Sequence, residues 1–249
     1  MKKKMLLSVM VWAMLLWCAG VANAGSDVEK KLKESFPDIT FDSVKESPVK
    51  GIYEVTEGRR IYYFAPQEGI LIMGQMMDKT KKNLTANRLK EITAKADEDI
   101  ARKAKDLPLD KAVKTGNGKH IVIEFTDPDC PFCRNAAKFF ESRTDVTKYT
   151  FFTPLPMHPD AANKVRYILC QKDRGKVLDE VMKGKIDGQK YETCKNTEVD
   201  ELINLHKSEA TRLGISSTPF FIIDGKVVSG ADIPKIEKLL SEKVAEVKK

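Results

Sequence analysis

Two cysteines separated by two residues, Cys130 and Cys133, have the spacing that thiol–disulfide exchange requires. The reaction needs one thiolate to attack a disulfide and a second thiol close enough to resolve the mixed disulfide. An apolar run predicts a strand before the pair, and the residues after it predict a helix whose N-terminus would stabilise a thiolate. Pro131 fits the first turn of that helix because its missing N–H needs no partner there. We therefore predict that Cys130 is an exposed nucleophile and that Cys133, one turn further on, is a more buried resolving thiol.

Half of a metal site and a purely structural bridge are the alternatives for this cysteine pair. A zinc site would need two more soft ligands at a suitable spacing. The other candidates have no such spacing: they are Cys170, Cys194, His120, His158 and His206. A structural bridge over so short a loop would gain little stability. We predict a redox pair, with no metal and no cofactor.

A carboxylate and a proline are candidates for roles beside the pair. Glu124 lies in the apolar run before the cysteines, where it would be buried and placed to accept the proton of the resolving thiol. The alternative is a glutamate at the margin of a sheet that reaches water. Pro219 follows Thr218 at the entrance of an apolar run, and a cis bond there would bring a backbone edge beside the reactive sulfur. The alternative is an ordinary trans proline at the start of a strand.

The first part of the chain predicts a small α+β unit. Spacings of four residues between Val28, Leu32 and Phe36 predict a helix over residues 27–36. Short runs bounded by turn residues then predict an antiparallel meander. Its strands are expected at residues 39–44, 51–56, 60–64 and 70–74. A charged stretch at residues 85–107, capped by Thr85, predicts a linker helix, the alternative being a helix packed on one domain.

The remaining chain alternates strand and helix patterns and therefore predicts an α/β unit. Strands are expected at residues 120–125, 149–152, 220–224 and 226–228. Helices are expected after the cysteine pair, through Phe140, and at residues 160–171, 176–182, 199–213 and 233–247, with Gly175 as the break between the second and third. The order β-α-β, helical insert, β-β-α is thioredoxin-like.

The first 24 residues have the layout of a secretory signal peptide. Lysines at positions 2–4 precede an uncharged apolar run, and Ala22-Asn23-Ala24 predicts cleavage after Ala24. An uncleaved membrane anchor is the alternative, while Trp17 argues against lipidation of Cys18. Removal of the segment takes three of 43 basic residues and none of 36 acidic ones, so the formal net charge falls from +7 to about +4. So mild a basicity does not indicate nucleic-acid binding.

Several segments resemble the periplasmic disulfide isomerases of the DsbC and DsbG type, over nearly the whole exported chain. They are Pro48-Val49-Lys50-Gly51-Ile52-Tyr53, Phe125-Thr126-Asp127 before Cys130-Pro131-Phe132-Cys133, Cys170-Gln171-Lys172-Asp173, Val181-Met182-Lys183-Gly184-Lys185 and Leu213-Gly214-Ile215-Ser216-Ser217-Thr218-Pro219. Together with the patterns above, the resemblance predicts a signal peptide at 1–24, a dimerisation domain at 25–84, a linker helix at 85–107 and a thioredoxin-like catalytic domain at 108–249. It also implies a periplasmic homodimer kept reduced by a membrane reductase of the DsbD type.

The hypothesis of disulfide exchange with client proteins, together with the resemblance, predicts roles for further residues. Unfolded or misoxidised exported proteins would bind against Phe132, Phe220 and the edge formed by Thr218 and cis Pro219. Four cysteines remain after cleavage and allow three pairings. The family implies a structural disulfide between the two cysteines at 170 and 194, the alternative being a second redox pair. A loop of about 25 residues closed in this way would add roughly 3 kcal/mol of stability.

Some residues leave the kind of reaction open. The Pro131-Phe132 dipeptide departs from the pattern of the best-known isomerase, and Glu124 is more typical of DsbA-like oxidases. The alternatives are an oxidase, a sulfenic-acid reductase as suggested for DsbG-type proteins, and a holdase chaperone without thiol chemistry. Asp129 would oppose a thiolate at its neighbour Cys130, and Arg134 could offset it.

Overall fold

The computed structural model describes residues 22–242 of the chain. The charged start and the apolar run of the predicted signal peptide lie outside the described residues. Within residues 22–242, no helix is long and apolar enough to cross a membrane. The described chain forms two compact units, and the division falls between Ala96 and Asp97, inside the predicted linker.

The first unit is a helix followed by a four-stranded antiparallel sheet, as the sequence predicts. Helix α1 spans Ala22–Ser35, and the strands are β1 (Ser43–Glu46), β2 (Tyr53–Glu57), β3 (Arg60–Ala65) and β4 (Ile70–Ile72), in the sheet order β1-β2-β3-β4. Val28 and Leu32 of the helix are buried against Val55 and Phe64 of the sheet. This small apolar cluster is the core of the unit.

Helix α2 spans Leu84–Lys103 and begins one residue earlier than predicted. Its cap is Asn83, whose side chain accepts a hydrogen bond from the Ala86 N–H at 2.8 Å. The prediction that Thr85 is the cap is wrong, because the Thr85 hydroxyl accepts from the Met76 N–H at 2.7 Å and lies 2.5 Å from the Tyr63 hydroxyl. The helix therefore begins with its second residue tied to the sheet of the first unit.

The second unit is built on a five-stranded mixed sheet in the order β5-β7-β6-β8-β9. Its strands are β5 (Val113–Thr115), β6 (His120–Thr126), β7 (Val146–Phe152), β8 (Phe220–Ile223) and β9 (Lys226–Ser229). Only β6 and β7 are parallel, and the other pairs are antiparallel. The short strand β5 lies outside the predicted strands, and β7 begins three residues earlier than predicted.

Five helices complete the second unit within the described residues. They are α3 (Pro131–Glu141), α4 (Ala161–Cys170), α5 (Arg174–Met182), α6 (Thr197–Arg212) and α7 (Ile233–Ser241). Helices α4 and α5, with the loop after them, form the insert. Gly175 lies inside α5 and does not mark the break, because Asp173 caps that helix by accepting from the Lys176 N–H at 3.0 Å.

Alternation along β6 assigns its side chains to two cores. Ile123 and Phe125 pack with the apolar cluster that contains Ile100 and Phe151. Val122 packs on the opposite face, in the cluster that contains residues of α3 and α7. Successive strand residues point to opposite faces. Glu124 therefore points to the same side as Val122, towards α3, which carries the cysteine pair.

Candidate active site

Helix α3 places the two cysteines at its first turn. Cys130 is the N-cap residue with extended backbone angles, and Pro131 occupies the first helical position. Both thiols are free. Cys130 is only 4 % exposed, so the prediction of an exposed nucleophile is wrong. The reason is that the Thr218 carbonyl, 3.6 Å from the Cys130 sulfur and accepting from it, covers one side of the thiol.

Cys133 lies in the first turn of α3 and has no exposed surface. The Asp127 N–H donates to its sulfur at 3.5 Å. Burial, with a smaller contribution from the charge of Glu124, raises the pKa of the Cys133 thiol to about 12. The hydroxyls of Thr126 and Thr218, which have no other hydrogen-bond partner in the described chain, act in the opposite direction. The two sulfurs of the pair therefore sit in different environments.

Glu124 is 1 % exposed, so the alternative of a glutamate that reaches water is wrong. Its partner is Lys148 of β7, whose Nζ lies 2.9 Å from Glu124 Oε2. In the parallel pairing Glu124 is opposite Thr150, and Lys148 lies two residues before Thr150, so both side chains share one face. Lys148 also lines a cavity of about 700 Å³, together with Asp179. One end of the buried ion pair therefore borders open space.

Asp127, which follows β6, holds the loop between β6 and Cys130 in place. Its carboxylate is fully buried and accepts from the Asp129 N–H and the Leu155 N–H, each at 2.7 Å. His158 Nδ1 lies 2.9 Å from the same carboxylate. Asp129 carries its own ion pair, with Arg134 at 3.0 Å, as the sequence suggests.

The predicted client-binding residues divide into exposed and buried ones. The Thr218–Pro219 peptide bond is cis. The Phe132 side chain is 66 % exposed on the first turn of α3. Phe220 is buried in the core beside Phe125, so its ring cannot line a binding surface, and that prediction is wrong.

Cys170 and Cys194 form a disulfide with a Cα–Cα distance of 5.7 Å. Cys170 ends α4, and the bond fastens the loop after α5 to that helix. Among the described residues, no group of three or more His, Cys, Asp or Glu side chains is arranged to hold a metal ion.

Comparison with known families decides the class of this site. Residues 107–242 match the family model of the thioredoxin-like domain. The chain belongs to the thioredoxin-like family. Residues 19–86 match the model of the disulfide bond isomerase protein N-terminal domain. The predicted fold class, a thioredoxin-like domain with an amino-terminal α+β domain, is confirmed.

Individual relatives of this thioredoxin-like protein are thiol:disulfide interchange proteins by name. The probable DsbC of Bordetella avium is 29 % identical over 211 residues, which are 83 % of this chain and 70 % of that protein. DsbC of Dickeya dadantii is 29 % identical over 245 residues, 94 % of this chain and 93 % of that protein. The crystal structure of a disulfide interchange protein from Neisseria gonorrhoeae, at 38 % identity, covers 55 % of this chain and 99 % of its own, with a TM-score of 0.47. The predicted resemblance to DsbC-type proteins and the class of thiol–disulfide oxidoreductase are confirmed.

For several polar residues around the thioredoxin-like site, the sequence predicts no role in catalysis or binding. They are Thr126, Asp127, Lys148, His158, Lys164 and Asp187. Lys148 lies one residue before the predicted strand at 149–152, so a longer strand would have been needed to suggest a cross-strand pair with Glu124. Lys164 and Asp187 have no signal in the sequence, since only the folded insert brings them to the cysteines.

Proposed function

We propose that Cys130 and Cys133 carry out the exchange and that the protein isomerises or reduces wrong disulfides in exported client proteins. The observation that carries the proposal is the asymmetry of the pair. Cys130 is the N-cap of α3 and lies beside the Thr218 carbonyl. Cys133, by contrast, is fully buried, and its thiol interacts with the buried Glu124 carboxylate. A helix N-terminus favours a thiolate, so the capping sulfur is the one suited to attack.

The exchange begins when the Cys130 thiolate attacks one sulfur of a client disulfide. A bond forms between Cys130 and that sulfur, and the second client sulfur leaves as a thiolate. Isomerisation follows when another client thiolate attacks the mixed disulfide and returns Cys130 as a thiolate. Reduction follows when the Cys133 thiolate attacks the Cys130 sulfur, which releases the client thiolate and forms the Cys130–Cys133 disulfide. Two electrons then have passed to the client.

The resolving step requires a base, because the pKa of the Cys133 thiol is raised to about 12. We assign this role to Glu124, the buried carboxylate near that thiol. Lys148 stabilises the charged Glu124 carboxylate before the proton is transferred to it. Lys148 also lines the cavity of about 700 Å³, so the ion pair is next to this cavity. The proton can therefore leave by way of this cavity.

The client-binding edge consists of Phe132 and the Thr218–Pro219 backbone. The exposed Phe132 ring offers apolar contact, and it adjoins the nucleophile in sequence. Because the Thr218 carbonyl already lies 3.6 Å from the Cys130 sulfur, an extended client chain along this edge would bring its disulfide to that sulfur.

Export, assembly and reduction complete the proposal. The signal-peptide pattern of residues 1–24 and the Cys170–Cys194 disulfide support an oxidising compartment, the periplasm. The edge strand β4, with exposed Ile70 and Ile72, supports a homodimer through the first unit. A membrane dithiol reductase of the DsbD type would return the Cys130–Cys133 disulfide to its reduced state.

Cysteine substitutions in the full-length protein test the proposed roles. Cys130→Ser removes the nucleophile, and we expect loss of both scrambled-ribonuclease isomerisation and insulin reduction. Cys133→Ser leaves attack intact but removes resolution, so mixed disulfides with clients should accumulate and be visible on non-reducing gels. Activity of Cys130→Ser equal to that of the unmodified protein would overturn the assignment. Suppression of client aggregation that survives in Cys130→Ser, without any exchange, would instead identify a holdase.

An oxidase is the second candidate, favoured by the buried Glu124 and the Pro131-Phe132 dipeptide. The reduction potential of the Cys130–Cys133 pair separates the two functions. A value near about −120 mV, that of DsbA, would indicate an oxidase, and a value nearer that of protein disulfide isomerase, about −180 mV, would support the isomerase.

A further inference from the structure

Four charged side chains in direct contact form a cluster beside the proposed nucleophile, named here the Asp129 cluster: Asp129, Arg134, Lys164 and Asp187. Lys164 Nζ lies 2.5 Å from Asp129 Oδ1 and 2.6 Å from Asp187 Oδ1. Arg134 contacts both carboxylates too, Asp129 at 3.0 Å and Asp187 at 2.5 Å. Two cations therefore face two carboxylates at hydrogen-bond distance. A third carboxylate, that of Asp160 before α4, lies further away, at 3.7 Å from Lys164 Nζ, and is about half exposed to water.

The members come from two parts of the fold. Asp129 and Arg134 flank the cysteine pair, whereas Lys164 lies on α4 and Asp187 in the loop after α5, both in the insert. Lys164 reaches across the site as a largely buried side chain, 6 % exposed. The insert is thus connected to the catalytic loop by charged contacts.

Asp129 is the residue whose charge matters for the reaction. It directly precedes Cys130, and a carboxylate beside a thiolate disfavours the charged sulfur by repulsion. At 18 % exposure its side chain is poorly screened by water, so its counter-ions decide how much of that repulsion remains. Arg134 alone cannot neutralise the Asp129 carboxylate, because its guanidinium also donates two hydrogen bonds to Asp187. Lys164 is the second cation that Asp129 requires.

The pKa shifts of Lys164 and Asp187 are consistent with a cluster whose members are all charged. Burial by itself lowers the pKa of Lys164, but hydrogen bonds to Asp129 and Asp187 raise it above its ordinary value. The hydrogen bond from Arg134, with a further contribution from Lys164, lowers the pKa of Asp187 to about 2. Lys164 and Asp187 are therefore both charged at neutral pH.

We propose that Lys164 and Asp187 of the insert are positioning residues for the exchange reaction, because Lys164 neutralises Asp129 and Asp187 holds Lys164 and Arg134 in place. The inference rests on the proposed role of Cys130 as the nucleophile. It gives the insert an electrostatic role, since the insert supplies the positive charge that allows an aspartate to precede a reactive thiolate. The other charged groups around the pair have their own partners, Asp127 with His158 and Glu124 with Lys148.

The pH profile of Cys130 alkylation tests the proposal, since a merely structural contact would not move it. Iodoacetamide rates are measured on the reduced full-length protein from about pH 4 to about pH 9, with the modified site identified by peptide mass spectrometry. Lys164→Met should shift the profile to higher pH, so that at a fixed pH below its midpoint Cys130 reacts about threefold to tenfold more slowly. Asp129→Asn should shift it in the opposite direction by a similar factor. Lys164→Arg, which keeps the charge, should match the unmodified protein.

The double variant Lys164→Met/Asp129→Asn decides whether Lys164 acts through Asp129. It removes one charge of each sign, so its profile should return to that of the unmodified protein. A double variant as slow as Lys164→Met, or a Lys164→Met protein with a lower melting temperature but an unchanged profile, would overturn the proposal. If Lys164→Met does not fold, Asp129→Asn alone decides, and an unmoved profile refutes the inference. Failure of the proposed function looks different, because Cys130 of the unmodified protein would then be unreactive.

Discussion

At the scale of single residues, substitution of Glu124 tests the proposed transfer of a proton from Cys133 to this buried carboxylate. Glu124→Gln keeps the shape of the side chain but removes its ability to accept a proton. We expect the resolution of a Cys130–glutathione mixed disulfide by Cys133 to slow by about 10²-fold at pH 7. Because the Cys133 pKa is about 12, the remaining rate should rise with pH as the thiolate fraction rises, about tenfold per unit. Stopped-flow measurement with oxidised glutathione separates this step from the initial attack.

The matched control for this experiment is the double variant Glu124→Gln/Lys148→Met. Glu124→Gln alone leaves a buried lysine without its counter-ion, which destabilises the fold. The double variant removes both charges, so it should resolve as slowly as Glu124→Gln while melting at a higher temperature. The initial attack by Cys130 should stay within a few-fold of the unmodified rate in both. Resolution at the unmodified rate in either variant would contradict the role of Glu124 as the base.

The roles of residues near the cysteines are predictable only where the local pattern fixes them. The strand–turn–helix context places Cys130 at a helix N-terminus, where the structure has it. The predicted exposure of Cys130 is wrong, because its cover comes from Thr218, 88 residues further along the chain. The pair between Lys148 and Glu124 is not predicted, because the expected strand begins after Lys148. Contacts between distant segments are the part that spacing along the chain does not show.

At the scale of secondary-structure elements, the disulfide of the insert is the feature to test. It closes a loop with a sequence separation of 24 residues between the end of α4 and the loop after α5. We expect the double variant Cys170→Ala/Cys194→Ala to lose about 3 kcal/mol of unfolding free energy, chiefly because its unfolded chain is less constrained. Urea unfolding of the variant and of the unmodified protein under non-reducing conditions measures the difference. The control is the unmodified protein after reduction of this disulfide, which should unfold at the same urea concentration as the variant. Equal unfolding free energies before and after reduction would refute the expectation.

Element boundaries follow the sequence pattern where capping chemistry and periodicity agree. The strands of the first unit and the helix after the cysteine pair are close to their predicted positions. Strand β5 is not predicted, because three residues are too few to show the alternation of apolar and polar side chains. In the structure it pairs with β7. The prediction of a helix break at Gly175 is wrong because the start of α5 depends on the cap that Asp173 provides. Short elements and helix starts are decided by partners that a local window does not contain.

At the scale of the whole molecule, the chain divides into a unit without a described cysteine and a unit that holds all four described cysteines. The change from a meander to an alternation of strands and helices makes this division predictable. The sheet order β5-β7-β6-β8-β9 is not predictable in the same way, because the pattern indicates where strands lie but not which strands pair.

The two edge strands of the first sheet differ in the side chains that they expose. β1 presents exposed Lys45 and Glu46, while β4 presents Ile70 and Ile72, 53 % and 40 % exposed.

This contrast predicts that β4, and not β1, is the edge at which two chains join. Charged residues on an edge strand discourage pairing with another chain, whereas an apolar edge invites it. Light scattering of the unmodified protein should therefore give a molar mass twice that of one chain, and Ile72→Lys should reduce it to that of a single chain. Glu46→Lys, a charge change on the opposite edge, is the control and should leave the mass unchanged. Cys130 alkylation should proceed at the same rate in all three proteins, because the change lies in the first unit. A dimer that persists in Ile72→Lys would place the interface elsewhere.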